Sequence, residues 1–490
     1  MDRAGVRRQV PLMPCCAAPV RYRPWVTLLC AALLTSMMAY LFVLSRGDDL
    51  ASLRFPGESA GRMLDRHLDF YEGYASVPAW QRGFFALLFG SRAQVQATAV
   101  RAYREVLRYF HDHPAEATPW AEFNTRARLL VLLAETGRHR ALERELSGLG
   151  RTLDEEMVRD AVRYAYTDDP VNATLPEVFY GARLLPLGWA GDRLDLRLAQ
   201  KLHRDRQAQV IEQRLRQRGA RWRDRVMMLA AAVALLVGGG LWAWTRRRGL
   251  QRPAAWRGAA LDQPWSLGEG FAVVVRVGLL GVAISAALHL LAGPFFRPGV
   301  LALWSTLFAS LPMVWLIHRN LLKPRGLSFA SAFGLTLNGV SLGRLGRIAL
   351  AMLAAEWCGT LLIAWLGWKF GLNAHWSEGL YEQEIFGSWQ TAALSGINLV
   401  LWAPLFEEVG FRGLIYTSLR SRLSPRTAII ASALLFSALH LYSWLGFLSV
   451  LWSGVVLAYA YERFRSLLPG MIVHGVGNLL ALNTVLLFYR

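Results

Sequence analysis

Lysine is almost absent from this chain. Lys201, Lys323 and Lys369 are the only three in 490 residues, so nearly all of the 54 basic side chains are arginines. Acidic residues are also few, 35 in all, and the net charge is +19. An excess of that size invites a nucleic-acid reading, but many of the arginines flank apolar runs, which assigns them to membrane topology instead. No nucleic-acid partner is expected. Cysteine is scarce too. Cys15, Cys16, Cys30 and Cys358 show no CxxC or zinc-ribbon spacing, which excludes a disulfide framework and a cysteine metal site. Cys15 and Cys16 read as unpaired cytoplasmic thiols, with acylation near the membrane as the alternative. Strand signals are few. What abounds is apolar surface: 54% of residues are hydrophobic, 19 are tryptophan, and several apolar runs reach about 18 residues or more. The expected fold is all-α, a polytopic membrane helical bundle of about nine transmembrane helices with a soluble helical domain inserted between the first and second spans.

Residues 1–45 read as a basic cytoplasmic N-terminus followed by an uncleaved signal-anchor helix at Trp25–Leu44; a cleaved signal peptide is the alternative. Residues 46–225 carry helix-period apolar patterns, among them Val95–Phe110 and Thr125–Ala134, the latter followed by Gly137 as a stop and by Ala141–Leu149. They predict a helical domain with one helix-turn-helix unit and no repeat array. Its basic end, residues 201–225, suggests a helix near lipid headgroups. Residues 226–390 hold the spans Val226–Trp244, Gly270–Gly293, Val300–Ile317 and Ile348–Trp368, then an acidic connection with Glu378, Glu382 and Glu384. Two of these spans carry a charge, Arg276 and Glu356; the two residues are expected to pair, with substrate contact or an ion pathway as the alternative. Residues 391–490 supply the last four spans, Thr391–Tyr416, Ala428–Tyr442, Gly446–Tyr461 and Met471–Phe488. The arginine loops at 420–426 and 463–465 fall on the cytoplasmic side. Counting back places 46–225 outside and the N-terminus inside, as in a bacterial inner membrane protein.

One stretch concentrates costly groups: LWAPLFEEVGFRGLIY, Leu401–Tyr416. Charges inside an apolar span mark function by default. Glu408 and Arg412 share a helix face at i,i+4 and are expected to pair. Glu407, rotated by about 100°, is left for another partner. Phe436 and His440 repeat the spacing on one following span, and His474 and Asn478 on another. Glu407 lies 13 residues before Arg420 and His440 14 after Arg426, so both sit about 20 Å along their helices and can meet. His474, four residues after Gly470, looks too shallow unless Leu467–Gly470 dips inward or the cavity opens to the cytosol.

EEVGFRG (Glu407–Gly413), FSALH (Phe436–His440) and HGVGN (His474–Asn478) resemble the three motifs of the CPBP intramembrane protease family, which includes the type II CAAX prenyl endopeptidases and the bacteriocin-immunity (Abi) proteins. The resemblance covers roughly residues 395–486 and departs at no motif position. It implies an intramembrane endopeptidase acting on a membrane-embedded or membrane-anchored polypeptide. Glu407 would be the catalytic carboxylate, activating water with His440; His474 and Asn478 would hold the oxyanion; Glu408 and Arg412 would brace the helix, and Phe436 would pack below His440. Metal-free catalysis is preferred. The alternative is a zinc ion on Glu407, His440 and His474, a His2Glu set that lacks HExxH spacing. A non-catalytic immunity or scaffold protein displaying the external helical domain is the competing function, and a proton-coupled transporter a third.

Overall fold

The computed structural model describes residues 22–490 apart from positions 48–49, 51–52, 151, 169, 247–249, 255, 257, 263, 297, 338, 373 and 379–381. The cysteine pair at 15 and 16 lies outside the described residues. Among those described, every regular element is helical.

Among the described residues, seven helices are long and apolar enough to cross a membrane: Asp205–Thr245, Leu267–Ala292, Val300–Arg325, Leu342–Gly367, Trp389–Arg420, Trp444–Phe464 and Leu468–Tyr489. The other two expected spans fall on shorter apolar stretches, Pro24–Met37 within the helix Pro24–Gly47, and Pro425–Ala438. The second stops early because Leu439 leaves the helix and Leu441 takes a positive φ of 55°, a conformation unfavourable to a branched side chain. Fourteen residues extend about 21 Å, well short of a hydrocarbon core about 30 Å thick.

Between Pro24–Gly47 and Asp205–Thr245 a series of helices packs around its own core. Pro56–Phe70, Arg92–Asp112, Pro119–Glu135 and Trp189–Lys201 bury Leu64, Val106, Leu130, Leu133 and Leu194 in one cluster. The predicted helix-turn-helix is present: Pro119–Glu135 closes through Gly137, at φ 66°, into His139–Ser147. This helical cap sits on one end of the bundle. It touches the connection before Trp389 and the end of the last helix: Glu382 accepts from the Arg54 and Phe55 amides, Trp222 stacks on Phe488, and Arg62 reaches the Tyr489 carbonyl.

Asp205–Thr245 is a single 41-residue helix, about 60 Å long, that begins in the cap and runs on into the bundle. Several of the arginines that look suited to headgroups bind the cap instead. Arg214 and Arg218 pair with Asp192, Arg218 also with Asp69, and Arg223 donates to the Phe70 and Glu72 carbonyls. At the opposite end, Arg465 pairs with Asp262, Arg420 with Glu462, and Trp256 donates to the Thr336 carbonyl. The arginine-rich connections therefore share one end and the cap occupies the other.

Candidate active site

Trp389–Arg420 is not a uniform α-helix. Its backbone widens to π-helical bonding over Asn398–Trp402 and again over Glu408–Tyr416. Such widenings misalign the i→i−4 ladder and are frequent at functional sites. The first one places the Leu399 carbonyl where Asn478 Nδ2 donates to it at 2.8 Å. The second carries Glu408 and Arg412, whose side chains meet at 3.0 Å, each only 1% exposed. Arg412 also lies 4.4 Å over the Phe436 ring and 3.4 Å from the Gly454 carbonyl. The expected pair is thus in place, and Phe436 packs against the pair as well as beneath His440.

His474 joins the two glutamates. Its Nδ1 is 3.2 Å from Glu408 Oε1, and its Nε2 is 3.7 Å from Glu407 Oε2. Glu408 is therefore shared between Arg412 and His474, and the nearest charged partner of Glu407 is His474. The shallowness expected for His474 resolves in two ways. A π-helix takes more residues per turn than an α-helix, so Glu408 lies nearer the arginine-rich end than an α-helical count gives. The turn before Leu468 is also sheltered: Leu467 donates its amide to the Phe333 carbonyl at 3.0 Å and Ser466 Oγ bonds the Gly334 carbonyl. Gly470 then lies against the Glu408 carboxylate, and a Cβ there would be 3.0 Å from Oε2.

His440 approaches the same cluster from the turn that ends Pro425–Ala438. Its ring meets Phe436 at 4.7 Å, and Phe436 meets His474 at 6.1 Å, so the two histidines flank one phenyl ring. His440 Nδ1 is 2.7 Å from the Phe436 carbonyl. A carbonyl only accepts, so Nδ1 carries the proton and Nε2 presents its lone pair in the neutral ring. Gly475, between His474 and Asn478, is where the last helix touches the motif helix: a Cβ would lie 2.8 Å from the Val400 carbonyl.

The charged residues of the earlier spans do not pair with each other. Arg276 donates to Thr27 Oγ1 at 3.1 Å and to the Ala272 carbonyl, and lies over the Tyr22 ring. The first helix, invisible to any local pattern around Arg276, supplies its partner. Glu356 instead faces the site: Oε1 accepts from Ser453 Oγ at 2.7 Å and lies 3.9 Å from where a Gly477 Cβ would be. Its intramembrane charge is the signal in the sequence; its partner is not legible there.

Three carboxylate oxygens, Glu356 Oε2, Glu407 Oε2 and Glu408 Oε2, are sheltered yet lack a hydrogen-bond partner. Such oxygens can accept from water or from a peptide N–H. Glu407 is the open member, at 32% exposure against 1% for Glu408. Among the described residues, no three His, Cys, Asp or Glu side chains are grouped to hold a metal ion. The suggested zinc set of Glu407, His440 and His474 is not assembled as a cage.

Residues 389–480 match the family model for the type II CAAX prenyl endopeptidase Rce1-like proteins. The C-terminal part of the chain is an Rce1-like domain. No curated protein and no solved structure matches the chain. The Rce1-like domain contains all seven predicted site residues and none of the cap, and Glu356 lies before it. Over residues 389–480 the match is to a CAAX-type intramembrane protease family, in keeping with the resemblance to the CPBP family. With seven helices among the described residues able to cross a bilayer, the chain is an integral membrane protein.

Proposed function

We propose that the protein is an intramembrane endopeptidase in which Glu407, assisted by His440, activates water against a peptide bond of a membrane-embedded or membrane-anchored polypeptide. The observation that carries this reading is the asymmetry of the two glutamates. Glu408 is closed in by Arg412 and His474, whereas Glu407 is partly open and has a sheltered oxygen without a hydrogen bond.

In the proposed reaction water gives a proton to the Glu407 carboxylate or to His440 Nε2 as its oxygen attacks the carbonyl carbon. The carbonyl oxygen becomes an oxyanion. His474 in its imidazolium form, with Nδ1–H on Glu408 and Nε2–H free to donate, and the Asn478 N–H not used by Leu399 are the donors suited to hold it. The stored proton then passes to the leaving amine as the C–N bond breaks, so no oxidant or outside acid is required. The Glu407–His474 separation of 3.7 Å is too long for a hydrogen bond, and contacts of this kind often tighten only with substrate bound.

With the arginine-rich end assigned to the cytoplasm, the cap lies outside and the site is reached from within the bilayer. The test uses purified protein in proteoliposomes and membrane-anchored reporter peptides. Glu407→Gln and His440→Ala should each lower kcat by about 10²–10⁴, the usual contribution of a positioned acid–base group. Wild-type cleavage persisting in both variants removes these residues from the chemistry. One tightly held zinc in the purified protein would replace the metal-free scheme.

A further inference from the structure

His440 sits in a turn, and a turn must be held if it is to aim a catalytic ring. The segment between Pro425–Ala438 and Trp444–Phe464 contains the positive φ of Leu441, a conformation that persists only when its surroundings impose it. One of the contacts that hold it comes from outside the Rce1-like domain. Glu378, on the connection before Trp389, accepts the Ser443 amide at 3.0 Å through Oε2. Its other oxygen occupies the space over Gly446, where a Cβ would lie 1.9 Å away. The carboxylate therefore caps the N-terminus of the 21-residue helix Trp444–Phe464, where the helix dipole favours a negative charge. On the other side of the turn, Ser437 Oγ bonds the Phe447 carbonyl, and the rings of His440 and Tyr442 are 5.6 Å apart.

Glu378 is in turn fixed by the helical cap. Glu105, on Arg92–Asp112, uses both carboxylate oxygens: one is 2.8 Å from His375 Nε2 and the other accepts from Trp376 Nε1 at 2.9 Å. Trp376 is 9% exposed and belongs to the apolar core of the cap. Glu378 donates its amide to the His375 carbonyl at 3.0 Å, and His375 Nδ1 lies 2.6 Å from Ser377 Oγ, so residues 375–378 form one tight turn. Further along the connection, Glu382 takes the Arg54 and Phe55 amides and Ser59 Oγ at the start of Pro56–Phe70. The loop is thus gripped by the cap at both ends.

We propose that Glu378 is a positioning residue for His440, and that the cap, through Glu105 and Trp376, holds Glu378 in place and so controls whether the site is assembled. The proposal rests on the reading of His440 as part of the catalytic machinery. It makes the cap a regulatory element. A ligand or protein that draws Arg92–Asp112 away from residues 375–378 would release the His440 turn without touching the site.

A chain of contacts is not by itself a demonstration of coupling, so the test reads the turn and the reaction separately. In the full-length protein in lipid nanodiscs, backbone hydrogen exchange is followed over residues 440–447 and over Leu468–Tyr489, alongside kcat and KM for a membrane-anchored reporter. Glu378→Ala should raise exchange in 440–447 by about fivefold to thirtyfold, the range for loss of one helix cap. It should lower kcat by a similar factor while leaving KM and the exchange of Leu468–Tyr489 unchanged. Glu378→Gln, whose amide oxygen still accepts from Ser443, should restore most of both. Glu105→Ala should reproduce part of the effect from within the cap, and does so even if Glu378→Ala fails to fold. Glu407→Gln is the control, abolishing cleavage with exchange unchanged. If Glu407→Gln stays active, the catalytic reading fails while the exchange arm still reports on the Glu105–Glu378 link. Unchanged exchange in Glu378→Ala and Glu105→Ala, or raised exchange with unaltered kcat, overturns the proposal.

Discussion

Arg412→Met tests how the site is held together. The Arg412 guanidinium serves Glu408 at 3.0 Å and the Gly454 carbonyl at 3.4 Å, and lies 4.4 Å over the Phe436 ring. Removing it leaves Glu408, itself 1% exposed, as a buried charge that has lost its cation. Breaking one side of a buried pair costs about 3–5 kcal/mol. Two features set the expectation at the lower end. His474 Nδ1 remains 3.2 Å from Glu408 and can carry a compensating proton, and methionine keeps apolar contact with Phe436, which offsets part of the lost cation–π contact. The expected loss is therefore about 3 kcal/mol. Adding Glu408→Gln removes the stranded charge, and because a buried pair replaced as a whole is often close to neutral, the double variant should recover about 2 kcal/mol. The four proteins of the cycle are compared by denaturant titration in detergent micelles. The reasoning is refuted if Arg412→Met is as stable as the wild type, or if the double variant is no more stable than the single one.

Three further outcomes follow from contacts described above. Glu356→Leu leaves Ser453 Oγ without its acceptor and should cost about 1–3 kcal/mol, whereas Glu356→Gln, whose carbonyl still accepts, should cost less than half as much; equal losses in the same titration count against the contact. Gly475→Ala pushes a methyl group to within 2.8 Å of the Val400 carbonyl, and the forced shift of His474 should lower kcat by about tenfold or more with a smaller change in stability. In the cap, burial pushes His67 down from 6.5 to about 4. Its folded value lies below its unfolded one, so its contribution is complete above about pH 6.5 and is lost as the pH falls through about 4, at about 1.4 kcal/mol per unit. Thermal midpoints between pH 7 and 4 should fall in the wild type and flatten in His67→Phe.

The parts of this molecule that are legible in the sequence are those set by local period. The i,i+4 spacing of Glu408 and Arg412 identifies a real ion pair, and Gly137 marks a real turn. Arithmetic that assumes uniform helices fails. The widened backbone of Glu408–Tyr416 has no signature in apolar periodicity, so counting residues misplaces the depth of His474 relative to the glutamates. Long-range partners are the other gap. Arg276 and Glu356 both stand out as costly intramembrane charges, but Thr27 is 249 residues from Arg276 and Ser453 is 97 from Glu356, beyond the reach of any local pattern. In the basic stretch at 201–225, Arg214 and Arg218 are counter-ions to cap carboxylates brought near only by folding.

The brevity of Pro425–Ala438 has a consequence for the surrounding lipid. About 21 Å of helix faces hydrocarbon about 30 Å thick. The turn at its end shows Leu439, Leu441, Tyr442 and Trp444 on the surface, with Trp444 73% exposed. Such hydrophobic mismatch is relieved by local thinning of the bilayer, at fractions of a kcal/mol per ångström. By that relation the leaflet next to His440 is expected to be drawn inward, which would shorten the path for water from the headgroups. On the proposed function, a transmembrane substrate entering that dimple would find too little hydrocarbon to cover its full length, and its end would be the part left unwound for cleavage.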